Sequence, residues 1–152
     1  MAKIKVNGQL TGMRGVYQVA AELSRLGFIV SPTSRSAIGA DLLVTDQQCK
    51  KAFSVQVKTN SKGSTYWLVG EKAKDMVSKS HIYVLVNFCK NREIGGDKPF
   101  YWIVPSKVVS SKMTSKTSVS GKGSTFHSIS AFDISEYAEK WSLFGNPNEK
   151  PT

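Results

Sequence analysis

Residues 52–59, Ala-Phe-Ser-Val-Gln-Val-Lys-Thr, alternate between apolar and polar side chains, and few conformations accept such a pattern. A period of two marks an extended strand with one buried face, so Phe53, Val55 and Val57 point into a core while Ser54, Gln56 and Lys58 share the other face. Just upstream, Asp41 to Thr45 carries the apolar run Leu-Leu-Val and reads as a strand, and the polar segment Asp46 to Lys51 turns the chain. A hairpin centred near Cys49 sets Asp41 opposite Val57, beside both Gln56 and Lys58.

The segment before this hairpin is helical. Val16, Val19, Ala20, Leu23 and Leu26 recur at three- and four-residue spacing, Thr11 is available as the cap, and Gly27 supplies a left-handed stop. Phe28 to Thr33 reads as a strand and Ser34 to Gly39 as a loop. Farther on, Tyr66 to Val69 is a short strand, Glu71 to Ser78 a helix, His81 to Phe88 a buried strand, and Phe100 to Val104 its neighbour. Ser106 to Ser128, rich in Ser, Lys, Thr and Gly, predicts a short helix followed by a mobile basic loop. Asp133 with Glu136 forms a capping pair for a last helix whose apolar face is Tyr137, Trp141 and Phe144. Without a convincing linker or internal repeat, residues 1–146 are expected to be a single domain and 147–152 a flexible tail.

With 152 residues, 40% of them hydrophobic, the chain can bury a core without disulfides. Cys49 and Cys89 are far apart and lack CxxC spacing, and with just His81 and His127 besides, a metal site here would be built from oxygen donors, which suits Mg²⁺ or Mn²⁺ rather than zinc. Neither histidine has the partners of a hydrolytic triad, and the segment around Gly121-Lys122-Gly123 lacks P-loop spacing. The formal charge of +10 implies a positive field, for which nucleic acids are the commonest soluble partners. The excess lies in residues 1–128, since residues 129–152 hold 2 basic and 4 acidic side chains. The opening Met-Ala-Lys-Ile-Lys lacks the apolar stretch of a secretory signal and no apolar run approaches the roughly 18 residues that span a bilayer, so a soluble cytoplasmic protein that does not enter membranes is expected.

Helix, strand hairpin and a strand carrying D…(E/Q)xK resemble the PD-(D/E)XK nucleases, through Gly39-Ala40-Asp41-Leu42-Leu43 and Val55-Gln56-Val57-Lys58-Thr59. Phe100-Tyr101-Trp102-Ile103-Val104-Pro105-Ser106, with Tyr137 and Trp141, is similar to the downstream half of a small branch of that superfamily. The resemblance implies an α/β fold, a restriction-endonuclease-like mixed sheet flanked by helices. It also implies Mg²⁺ or Mn²⁺ held by Asp41, the Gln56 side chain and the Val57 carbonyl, with Lys58 orienting the attacking water; Asp41, Gln56 and Lys58 are then the catalytic residues. DNA is the implied substrate, Arg35 and Lys62 are placed to contact its phosphates, and a homodimer would suit cutting of both strands.

Two positions depart from the pattern. Gln56 stands where many members carry Glu, and an amide binds Mg²⁺ less strongly than a carboxylate. Val16 follows Gly12-Met13-Arg14-Gly15 where relatives carry Glu, and Glu22, six residues on, is expected to pair with Arg25 instead. The alternatives to an enzyme are therefore a catalytically inactive nucleic-acid-binding protein and a protein-interaction module with an acidic partner. Tyr66 and Trp67 are expected to pack rather than to stack on bases.

Overall fold

The computed structural model describes residues 7–34, 37–91, 96–119 and 123–149. Helix α1 (Gly8–Arg25) begins three residues before the expected cap: the Asn7 side chain, not Thr11, accepts the Leu10 N–H at 2.9 Å. The helix ends where the sequence implied. Gly27 takes a φ of +98°, and the N–H groups of Phe28 and Gly27 return to the carbonyls of Leu23 and Ser24, a pair of bonds that needs a left-handed residue between helix and strand.

The strands β1 (Ile29–Pro32), β2 (Leu42–Thr45), β3 (Ala52–Asn60), β5 (His81–Asn91) and β6 (Gly96–Pro105) form a five-stranded sheet in the order β1-β2-β3-β5-β6. Neighbours are antiparallel except β3 and β5, which run parallel. A parallel pair needs a crossover, and here it carries β4 (Tyr66–Val69) and a short 3-10 segment (Glu71–Lys74) across one face of the sheet. The fold is a single α/β domain with a mixed sheet, as expected.

The centre of the sheet is buried on both faces. Val19 and Leu23 of α1 pack on Val55, Val57, Ile82, Val84 and Val86, whereas Tyr83 and Leu85 point the other way, into a second core with Trp67, Val109, Ile129 and Ile134. That second core is covered by α2 (Ser106–Lys112) and by a small antiparallel sheet in the order β4-β8-β7, from β7 (Thr114–Thr117) and β8 (Thr125–Ser130). Each core gains about 25 cal/mol per Å² of apolar surface removed from water.

Three expectations fail here. The helix over Glu71–Ser78 is a 3-10 segment at Glu71–Lys74, since so short a stretch gains little from helix propagation. Reciprocal bonds with Ser106, whose hydroxyl accepts from Ser78 N at 3.0 Å and donates to Ser78 O at 2.8 Å, hold the chain just beyond it in place. The expected basic loop after α2 contains β7 and β8, with residues 120–122 outside the described ones; β7 is exposed throughout, so no apolar alternation announced it. The last helix is two 3-10 segments, Ala131–Tyr137 and Trp141–Phe144, and Ser130 rather than Asp133 caps the first. Tyr137 packs in the second core while Trp141 and Phe144 pack in the first, so the three aromatics never share a helical face. Glu139, at a φ of +53°, lies between the two segments. Of the expected tail, residues 147–149 are described: the Gln47 N–H donates to the Pro147 carbonyl at 3.1 Å and Lys51 pairs with Glu149.

At Gly15 the helix lies directly against the sheet. A Cβ on that residue would overlap Thr59 Oγ1 and stand 2.9 Å from Thr59 Cβ, whereas a Cβ on Gly12 meets nothing within 4 Å. Gly15→Ala is therefore expected to destabilise by about 1–3 kcal/mol through overpacking. Gly12→Ala, in the same helix with open space, is expected to stabilise by about 0.5–1 kcal/mol. Urea unfolding of the two variants checks the opposite signs.

His81 is 5% exposed, with Nδ1 2.7 Å from Ser54 Oγ and Nε2 without a partner. Burial lowers its pKa, partly offset by Ser54. A histidine buried neutral contributes its full stability above its unfolded pKa of about 6.5 and loses it as pH falls toward the lower folded value. Thermal melts from about pH 7 down to about pH 5 should show falling stability in the wild type and a shallower fall in His81→Gln.

Candidate active site

β2 stops at Leu42 while β3 continues to Asn60, so the second half of β3 has a strand partner on its β5 side alone. Asp41 sits at that divergence and is tied down from several directions. Its N–H donates to the Val55 carbonyl at 2.8 Å and its carbonyl accepts the Thr33 N–H at 2.9 Å. The loop between β1 and β2 is closed further by Thr33 Oγ1, which donates to the Ala40 carbonyl at 2.7 Å, and Gly39 turns it at a φ of +89°.

The Asp41 carboxylate takes the place of the missing ladder bond. Its Oδ2 accepts the Val57 N–H at 2.8 Å and Gln56 Nε2 at 2.5 Å. A backbone N–H and carbonyl of one strand residue project from the same strand edge, so the Val57 carbonyl faces the same gap. The register is one residue off the expected one: Leu42 pairs with Val55, which sets Asp41 opposite Gln56 rather than Val57. The connecting turn explains the shift, because Asp46 Oδ1 accepts the Lys50 N–H at 2.8 Å and Cys49 takes a φ of +54°, pulling the reversal half a residue earlier.

Asp41, Gln56, Val57 and Lys58 line one cleft of about 390 Å³, whose opposite wall is the first half of α1, including Gln9, Gly12, Met13, Val16 and Tyr17. Of the residues expected to act together, the strand trio is brought together; Lys62 is exposed on the turn after β3 and Arg35 lies outside the described residues. Val16 itself reaches the cleft wall, so the helix delivers an apolar side chain where the resemblance implies a carboxylate. Glu22 supplies no substitute: Arg25 binds it at 2.5 Å, two turns along the helix. Gln9 and Tyr17 were not singled out from the sequence, where polar residues outside an apolar stripe carry no signal of a cleft.

The donor set suits a hard cation, though sparsely. Asp41 Oδ1, the Gln56 side-chain oxygen and the Val57 carbonyl accept no side-chain hydrogen bond among the described residues, and all three are oxygen atoms. They carry one negative charge between them, and no cluster of three or more His, Cys, Asp or Glu side chains forms among the described residues. With one carboxylate, such a donor set would need further oxygen donors to hold Mg²⁺ or Mn²⁺ firmly.

No protein-family profile matches the chain, and no curated protein matches it in sequence. Solved structures do match. A bacterial homing endonuclease, I-Ssp6803I, superposes with a TM-score of 0.53 at 16% identity over 91% of either chain. Hjc, a Holliday junction resolvase from Archaeoglobus fulgidus, gives 0.53 at 10% identity over 93% of this chain and 98% of its own. The chain thus has the restriction-endonuclease-like fold of the PD-(D/E)XK nucleases. No helix among the described residues is long and apolar enough to cross a membrane.

Replacing the amide by a second carboxylate tests the donor set. Gln56→Glu removes the Nε2 donor and sets two like charges together, so metal-free protein should lose about 1–3 kcal/mol. Millimolar Mn²⁺ should restore more stability to this variant than to the wild type. Thermal melts with and without Mn²⁺ read both effects.

Proposed function

We propose that the protein is a metal-dependent nuclease that hydrolyses DNA phosphodiester bonds. The observation that carries this reading is the convergence of Asp41, Gln56, the Val57 carbonyl and Lys58 on one cleft at the free edge of β3. Two structures sharing the fold are those of a homing endonuclease and a Holliday junction resolvase, which supports DNA as the substrate.

The roles follow from the chemistry of each group. Asp41, Gln56 and Val57 would hold Mg²⁺ or Mn²⁺, and the ion would supply charge neutralisation at the phosphate and a lowered water pKa. The Lys58 ammonium lines the same cleft, orients a water toward phosphorus and stabilises the negative charge that builds as the new P–O bond forms and an ester P–O bond breaks. The Val57 N–H and Gln56 amide fix the carboxylate through Oδ2, which leaves Oδ1 as the oxygen that would bind the ion. Lys62 and Arg35 hold flanking phosphates and contribute salt-dependent affinity.

One feature favours a second reading, a DNA-binding protein that has lost catalysis: Val16 occupies the cleft wall from α1, so a single carboxylate is left to hold a divalent ion. Plasmid nicking separates the two. Incubation with Mg²⁺ or Mn²⁺ should convert supercoiled DNA to nicked circles, and both Lys58→Ala and Asp41→Asn should slow this by at least about 10²-fold, the scale of a lost charge-stabilising group. Activity that survives unchanged in both variants belongs to a contaminant, and absent activity with intact salt-dependent binding selects the second reading.

A further inference from the structure

Beside the catalytic cleft lies a second one of about 410 Å³, and the two share Lys58 and Gly8 as their dividing wall. Its lining holds Lys58 and Lys62, the hydroxyls of Thr11, Ser61 and Ser64, and no acidic side chain. Two clefts elsewhere on the surface include Glu71 and Asp75 respectively. An acid-free, doubly cationic, hydroxyl-rich hollow attracts a phosphate group.

The far wall is different in kind. Tyr66 is 53% exposed and Leu68 56%, side by side on the outer face of β4, while Trp67 between them is 2% exposed and points inward. The expectation of packing therefore holds for Trp67, whose Nε1 donates to the Val86 carbonyl at 2.9 Å, and fails for Tyr66. The turn between the walls is braced: Asn60 and Asn87, neighbours across β3 and β5, both donate to the Ser64 carbonyl at 3.1 Å. The hollow is thus built beforehand, with one polar end and one aromatic end.

A hollow of this volume is in the range of small-ligand sites and has room for a single nucleotide. A base stacked within a duplex does not reach into such a concavity; an unpaired one does. We propose that this second cleft seats one unpaired nucleotide of the DNA strand next to the reacting phosphate, its phosphate against Lys62 and Thr11 and its base against Tyr66. This rests on the nuclease reading and narrows it: the preferred substrate carries an unpaired nucleotide beside the cut.

Fluorescence anisotropy in Ca²⁺, without cleavage, tests it with two labelled DNAs, a blunt duplex and the same duplex interrupted by a short single-stranded gap. The wild type should bind the gapped DNA about tenfold more tightly, the scale of one base–aromatic stack. Tyr66→Thr, which keeps a strand-forming residue, should erase that preference, and Tyr66→Phe should keep it. Lys62→Ala should lower the slope of log affinity against log salt by about one. Lys112→Ala, on α2, should leave the preference for gapped DNA intact. A 2-aminopurine in the gap should be quenched on binding to wild type and to Tyr66→Phe, a readout that does not depend on how well the threonine variant folds. Equal affinity for the two DNAs, a preference that survives Tyr66→Thr, or an unquenched 2-aminopurine overturns the cleft assignment while leaving the nuclease reading standing. Absence of any DNA binding overturns both.

Discussion

The carboxylate of Asp41 on the Val57 N–H is the interaction on which the rest of the site depends. It ends the β2–β3 ladder with a side chain instead of another backbone group, and so creates a stretch of β3 whose edge faces a cleft rather than a strand. A strand edge is ordinarily a liability that invites a further strand. Here α1 stands over it, and the free edge becomes a row of oxygen donors beside a lysine. The same bond has structural and chemical consequences: it satisfies a backbone donor, pins the start of β2, and holds the carboxylate at the wall of the cleft.

Gly15 sets how close that helix stands. Its missing side chain lets α1 rest directly on Thr59, one residue past Lys58, so helix packing and site geometry are fixed at neighbouring positions of one strand. Gly12, one turn earlier, faces open space and belongs to the cleft wall instead. The second core supports β3 from the other side through β5, whose parallel register sets Gln56 beside Tyr83 and Lys58 beside Leu85. Polar site residues on an otherwise buried face are tolerated because this half of β3 opens onto a cleft.

Much of this was legible in the sequence because periodicity reports which face of an element is buried. The α1 stripe, the buried β5 and the alternation of β3 that puts Gln56 and Lys58 on one face follow from it, whereas Asp41 shares that face only in the observed register. The register slipped by one residue because hairpin register depends on turn conformation, and neither the positive φ of Cys49 nor the capping role of Asp46 is written in the composition of a polar segment. The small sheet was missed because β7 has two exposed faces, so nothing in its own residues separates it from a loop; its strand character comes from pairing with β8. Tyr137, Trp141 and Phe144 have helical spacing yet serve two different cores, a tertiary arrangement that local spacing misreports. The exposure of Tyr66 is of the same kind: it depends on what lies over β4, not on β4 itself.

The central claim is that Asp41 anchors a divalent ion whose coordination is completed by DNA phosphate. Electron paramagnetic resonance of Mn²⁺, titrated into protein with a phosphorothioate DNA that resists cleavage, measures this directly. The account predicts ion uptake by wild-type protein that is tighter with the DNA than with protein or DNA alone, and its loss in Asp41→Asn. Uptake that is the same in Asp41→Asn, or absent from the wild-type complex at millimolar Mn²⁺, would contradict it.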